Sequence, residues 1–365
     1  MKCFRINHFI AYLLFFVAST VFSQQIERSI FITANTADDN DSGVLEHIVS
    51  EVNGQATSSL LIIGNAVSNS DFKQTVAPQL KVLNGAKEVL FIPGYKEWAK
   101  GHKGVRNIED YIQDNSNAKF SPDDAEPIKH HDLGENVELI TVDSQWFLED
   151  WDKHVYINED SEIQNRTLFF LEFENRIKKA QGKTILVAMY HPIETNSKQG
   201  LFRNIGGFSS QDFQNKQYRT LRNRLKTIAR GGENVIFLSG QGRNLQYIKG
   251  SVPQINSGAA GSLEAVKKGE EGDFSLRKNG YVRLDITTDG EVIAHYEILE
   301  NGAAKEVFKT IVLRGEVRTI RNHTFLRKTI LVRNWLPFTL KKQLQKVDFT
   351  KHFGESITAI FMVRR

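Results

Sequence analysis

Nine side chains in five short loops decide what chemistry this chain can offer. Asn35 and Ala37 follow a strand-like run over 29–34, and Asn65 and Ala66 follow another over 59–63. Tyr95 and Lys96 come after Phe91, Ile92, Pro93 and Gly94. Tyr190 ends the apolar run 184–189, and Gln241 and Arg243 come after 234–238. The amides of Asn35, Asn65 and Gln241 are weak ligands for a divalent cation, and Lys96 and Arg243 have no lone pair to give at neutral pH. The two cations can instead attract an anion, Arg243 clasping a phosphate through two parallel hydrogen bonds. The competing reading is that both snorkel to solvent or pair with Asp38, Asp39 or Glu97. His191 adjoins Tyr190, but one residue of offset on a strand turns a side chain to the opposite face.

Other groups carry less. His130, His131 and Asp132 form a compact run, yet adjacent residues on an extended segment point apart, which favours a solvated loop over a metal cluster. Gly240 and Gly242 lack the third glycine of a dinucleotide loop, because Leu245 occupies its place. Ser144 has no flanking glycines that would make it a nucleophile elbow. Trp146, Phe147 and Trp151 read as core or lid beneath the segment 144–154 rather than as a ligand groove.

The elements that must position these loops alternate. Strands over 29–34, 59–63, 88–92, 137–142, 184–189 and 234–238 are interleaved with helices over 43–53 (capped by Ser42), from Ser70–Asp71 to Gly85, over 162–180 and over 211–229 (capped by Ser210). This alternation implies parallel strands joined by crossover helices. Residues 115–136 read as loop, and 196–209 as a mobile loop. Short strands at 244–249, 253–257, 281–287 and 291–299, with a turn at Asp289–Gly290, imply an antiparallel addition.

With 365 residues, 40 % of them hydrophobic, the chain can bury a large core. A net charge of +4 gives no warrant for nucleic-acid binding. Residues 1–23 read as a signal peptide, with Lys2 and Arg5 ahead of an apolar run too short to span a bilayer. Its removal would take away Cys3, the sole cysteine. Asn165 and Asn322 each start a glycosylation-type triplet. Eleven Lys or Arg against three acids mark 315–365 as a basic extension. Phe325, Trp335, Phe338 and Phe349 lie within it, as an interfacial segment would need. The expected organisation is therefore a leader over 1–23, a domain over 24–314 and the extension over 315–365.

In order and context, the five loops resemble the motifs of calcineurin-like metallophosphoesterases, in particular secreted bacterial members. Trp98, Asn244 to Ile248, Asp143 to Trp146, Asp150 to Asp152 and Tyr218 to Arg224 add to the likeness. The resemblance implies a four-layer αββα sandwich of two mixed β-sheets with a two-metal site at the strand ends. It also places Asn35, Asn65, Tyr95, Lys96, Tyr190, Gln241 and Arg243 at ligand positions that this chain has altered, with Ala37 at a further one and Ala66 beside Asn65. The expected function is thus a non-catalytic binding or scaffold module of the periplasm or outer envelope, without a cofactor and with no partner identified. Two alternatives stand: a phosphoric ester hydrolase keeping one metal on Asp38 or Asp39 and Glu97, and a structural envelope protein whose basic tail meets lipid or protein.

Overall fold

Branched and aromatic runs bounded by glycine and asparagine build the centre of the domain. In the computed structural model the described residues are 25–38, 43–55, 57–68, 71–123, 126–151, 157, 161–198 and 209–315. The expected leader, Asp39, Ser42, Ser70, Asp152, Asn322, most of the 196–209 loop and the extension beyond Gly315 lie outside them.

The chain first lays down β1 (Ile26–Thr33), α1 (Val44–Asn53), β2 (Ser58–Ile63), α2 (Phe72–Val82), β3 (Val89–Ile92), α3 (Gly101–Asn115) and β4 (Lys119–Phe120). These four strands are parallel. It then crosses to a second sheet through β5 (Ile128–Asp132), β6 (Val137–Val142), α4 (Ser144–Leu148), α5 (Arg166–Lys179), β7 (Thr184–Met189), α6 (Lys216–Arg230), β8 (Val235–Ser239), β9 (Leu245–Ile248), β10 (Gln254–Ser257) and β11 (Phe274–Leu276). Finally β12 (Gly280–Thr287), β13 (Val292–Glu300) and β14 (Ala303–Leu313) return antiparallel to the first sheet. The orders are β14-β13-β12-β1-β2-β3-β4 and β11-β9-β10-β8-β7-β6-β5, so each seven-stranded sheet is mixed.

Strand alternation divides the core. Ile30, Ile32, Leu61 and Ile63 of the first sheet join Leu186, Ala188, Ile236 and Leu238 of the second in one buried layer. Phe31, Leu60 and Ile62, like Ile185, Val187 and Phe237, face outward beneath the helices. This is the four-layer arrangement of two mixed sheets expected from the sequence. No helix among the described residues is long and apolar enough to cross a membrane.

Several local expectations need correction. α6 starts at Lys216, and Asn215, not Ser210, caps it by accepting from the Gln217 and Tyr218 N–H groups. Gly43, with no side chain to cap, stands directly before α1. Asn165 accepts from the Thr167 and Leu168 N–H groups and so caps α5. His130 and His131 belong to β5, not to a solvated loop: His130 meets Glu138 at 3.0 Å, and His131 meets Ser121 Oγ at 2.7 Å.

Candidate functional site

The C-terminal ends of the parallel strands meet at one edge, and the five loops meet with them. Backbone bonds tie them in sequence: Asn35 N–H donates to Gly64 O, Gly64 N–H to Ile92 O, and Gln241 N–H to Tyr190 O, at 2.8–3.0 Å. Asn35 and Asn65 both adopt left-handed backbone, with φ of 60° and 55°. Asparagine tolerates that conformation better than most residues, so each turns the chain sharply out of its strand.

The side chains then form a one-directional chain of hydrogen bonds. Asn35 Nδ2 donates to the carbonyls of Gly240 and Gly258, both at 2.9 Å. Two carbonyl acceptors fix which end of the amide is nitrogen. Asn35 Oδ1 must therefore accept, and it does, from Asn65 Nδ2 at 2.9 Å. The second hydrogen of Asn65 goes to the Tyr190 hydroxyl at 2.7 Å, and Asn65 Oδ1 accepts from the Lys96 backbone N–H at 3.2 Å. Asn35, Asn65 and Tyr190 are almost wholly buried. The Tyr190 ring lies against Gly64 and Gly94: a Cβ at either would come within 2.3 and 2.9 Å of its Cδ2. Burial, with smaller contributions from Tyr95 and Glu97, raises the Tyr190 pKa above the usual phenol range, so the hydroxyl keeps its hydrogen.

Glu97 holds the loops from behind. Its carboxylate accepts from the N–H groups of Asn65 at 3.0 Å, Ala66 at 2.8 Å and Gly94 at 2.8 Å. Burial raises its pKa, and those same N–H groups pull against the rise. Both oxygens are thus turned toward backbone donors, contrary to a role as ligand to a single metal. Trp98, the next residue, donates from Nε1 to Asp143 at 2.9 Å, joining the two sheets.

The open part of the site is a cavity of about 210 Å³ touching Asn65, Tyr95, Tyr190, Gln241 and Arg243. Sequence reasoning placed these together, and the structure brings them together. It does not bring Lys96 with them: Lys96 lines a separate space of about 60 Å³ beside Phe72 and Gly104. The expected pairing of Lys96 with Arg243 around one anion is therefore not formed in this cavity. Arg243, itself at φ 43°, bonds through its guanidinium to Ser262 and lies 3.9 Å from the Glu264 carboxylate. Ala37 and Ala66 offer only backbone; the Ala37 N–H donates to Asn65 O at 3.2 Å.

Thr195, Ser197, Gln211 and Glu264 also line the cavity, and none was named as a site residue from the sequence. Tyr218, whose hydroxyl donates to Pro192 O at 2.8 Å and lies 3.2 Å from Gln241 Oε1, supports it. Tyr218 lay within the stretch Tyr218 to Arg224 on which the resemblance drew.

His191 faces away from the cavity, as its offset from Tyr190 implies. Its neighbours fix its state. The Glu149 carboxylate accepts from Gln145 Nε2, Gln145 Oε1 accepts from Gln211 Nε2, and Gln211 Oε1 is left to accept from His191 Nε2 at 2.8 Å. Nδ1 then accepts from Ser144 Oγ at 2.8 Å. Both ring nitrogens are occupied, and burial lowers the pKa to about 4. An unfolded imidazole takes its proton near pH 6.5, so between there and about pH 4 the unfolded chain binds the extra proton. The stability owed to neutral His191 is complete above pH 6.5 and is lost as pH falls through that window, by about 3 kcal/mol. Asp143, raised to about 7 mainly by burial, runs the opposite way. The clean measurement is therefore a difference: the change in urea midpoint on going from pH 7 to pH 4.5 should be more favourable to the folded state in His191→Gln than in the parent, because the variant lacks the His191 loss and keeps the Asp143 gain. Equal acid loss in both would contradict the assignment.

The residues present do not fit a pair of divalent cations. The amide atoms of Asn35 and Asn65 already serve protein partners, and the other side chains that the sequence reading placed at ligand positions are the Tyr95 and Tyr190 phenols, the Lys96 ammonium, the Arg243 guanidinium, the Gln241 amide and the Ala37 methyl. Among the described residues no group of three or more His, Cys, Asp or Glu could hold a metal.

No family model matches the chain, and no curated protein matches it. Among solved structures it is similar to GAP50, described as the anchor in the inner membrane complex of Plasmodium, with a TM-score of 0.56 and 13 % identity over 80 % of this chain and 91 % of the other. It is similar also to PhoD, with a TM-score of 0.53 and 10 % identity over 80 % and 72 %. YfkN from Bacillus subtilis, a calcineurin-like phosphoesterase, aligns over 79 % and 90 % with 13 % identity, but its TM-score of 0.40 carries no weight. At these identities the likeness is one of fold: this chain shares the two-sheet sandwich of GAP50 and PhoD.

Proposed function

We propose that this chain is a non-catalytic binding or scaffold module on a phosphoesterase fold, exported by its leader and acting in the cell envelope. One observation carries the reading. The Asn35–Asn65–Tyr190 chain of hydrogen bonds engages neutral amides and a phenol with protein partners at the strand ends, where a metal site would need charged ligands. Hydrolysis on two metals needs carboxylates and imidazoles that hold the ions and a bound water that they activate. Here Glu97 supports loops and His191 is saturated on both nitrogens. The likeness to GAP50, described as an anchor, supports a scaffold role on this fold. A one-metal hydrolase is the weaker reading, because it depended on Glu97.

The test is turnover of p-nitrophenyl phosphate and bis-p-nitrophenyl phosphate with added manganese, zinc or iron. The expected rate equals that of buffer with metal alone. Metal-dependent turnover that disappears in Asn65→Ala would refute the proposal.

A further inference from the structure

We propose that the cavity beside Tyr190 binds an uncharged polyhydroxylated ring, a monosaccharide unit, and not a phosphate. This rests on the non-catalytic reading above and names the ligand class of the same site.

Three features carry it. The first is the direction of the hydrogen bonds. Because Asn35 is oriented by two carbonyls and orients Asn65 in turn, the Tyr190 oxygen is an acceptor toward the protein. Its own hydrogen has no acceptor among the described residues. Ser197, on the same wall, is in the same state: its Oγ accepts from Asn244 Nδ2 at 3.1 Å and Gln246 Nε2 at 2.8 Å. Two hydroxyl donors are thus presented toward ligand oxygens.

The second feature is charge. Arg243 and Glu264 are the ionisable Arg, Lys, Asp, Glu or His residues of the lining, and they lie 3.9 Å apart. Their formal charges cancel, and Lys96 lines another space. An anion finds no net attraction here, whereas a hydroxyl can donate to the carboxylate and accept from the guanidinium.

The third feature is shape. Tyr95 is 36 % exposed, with its ring centroid 6.3 Å from that of Tyr190 and tilted by 41°. The Tyr95 ring, backed by Tyr190, gives an aromatic wall for the C–H face of a sugar ring. A volume of about 210 Å³ falls below the roughly 300–1,000 Å³ of pockets that enclose drug-sized ligands, which suits a single ring.

The experiment is saturation-transfer NMR on the full chain with glucose, galactose, mannose and N-acetylglucosamine, beside titration with inorganic phosphate. At least one sugar is expected to bind and phosphate is not. Ser197→Ala and Tyr95→Ala should each weaken the sugar about tenfold, the loss typical of one hydrogen bond or one ring contact. Tyr95 is exposed enough that its truncation leaves the fold intact, which a thermal melt verifies. Absence of binding by all four sugars, phosphate binding tighter than every sugar, or unchanged affinity in Tyr95→Ala would overturn the proposal. Those outcomes would leave the non-catalytic reading standing, whereas metal-dependent turnover would remove that reading and this one with it.

Discussion

Replacing Glu97 with alanine will destabilise the domain by about 4 kcal/mol and lower its melting temperature by about 10 °C, a loss set by what the carboxylate leaves behind. Three backbone N–H groups, from Asn65, Ala66 and Gly94, end on its two oxygens within a buried site. Each unpaired buried donor costs about 1–3 kcal/mol, with entering water recovering part of the sum. Glu97→Gln keeps the shape but turns an NH2 group toward N–H donors, so it should fall between the parent and Glu97→Ala. Thermal melts of the three proteins decide this. A shift of only a degree or two for Glu97→Ala would show that the carboxylate does not hold the loops.

The second large effect belongs to Gly240→Ala, expected to cost at least about 4 kcal/mol or to prevent folding. A Cβ there would lie 1.9 Å from Ile63 O and 2.5 Å from Ala34 Cβ. Ile63 ends β2 and Ala34 follows β1 of the first sheet, while Gly240 follows β8 of the second. The substitution would force the two sheets apart where Asn35 reaches across to the Gly240 carbonyl. Gly182→Ala is the control: it has open space and suffers only from a φ of 86°, so about 1 kcal/mol is expected. Denaturant midpoints for both variants test the contrast, and similar losses would contradict it.

Apolar runs made the sheets legible in the sequence, because buried parallel strands such as Ser58–Ile63 and Thr184–Met189 have no polar alternation to obscure them. α3 was harder to read. Gly101 and Gly104 look like breakers, and its buried face rests on Val105, Ile108 and Ile112 amid polar residues. Gly104 is nevertheless required, since a Cβ would meet the Lys100 side chain at 2.7 Å. β14 escaped notice because its outer-edge position leaves it largely exposed and mixed in character.

The loops that meet at the strand ends were also legible, but the partners of their side chains were not. Nothing in the spacing of Asn35 and Asn65 reveals that one amide orients the next, because that depends on carbonyls more than 200 residues away in sequence. Sequence likewise treated Lys96 and Arg243 as one charge system, although their side chains line separate spaces. Glu97 looked like a remaining ligand, and only its three backbone partners reveal its supporting role.

The most direct test is the metal content of the purified full chain after incubation with manganese, iron and zinc and removal of free ions. With the amides of Asn35 and Asn65 committed to one another, to Tyr190 and to backbone groups, elemental analysis should find far less than one ion per chain for each metal. Two retained ions per chain, released by Asn65→Ala or Gln241→Ala, would contradict the account.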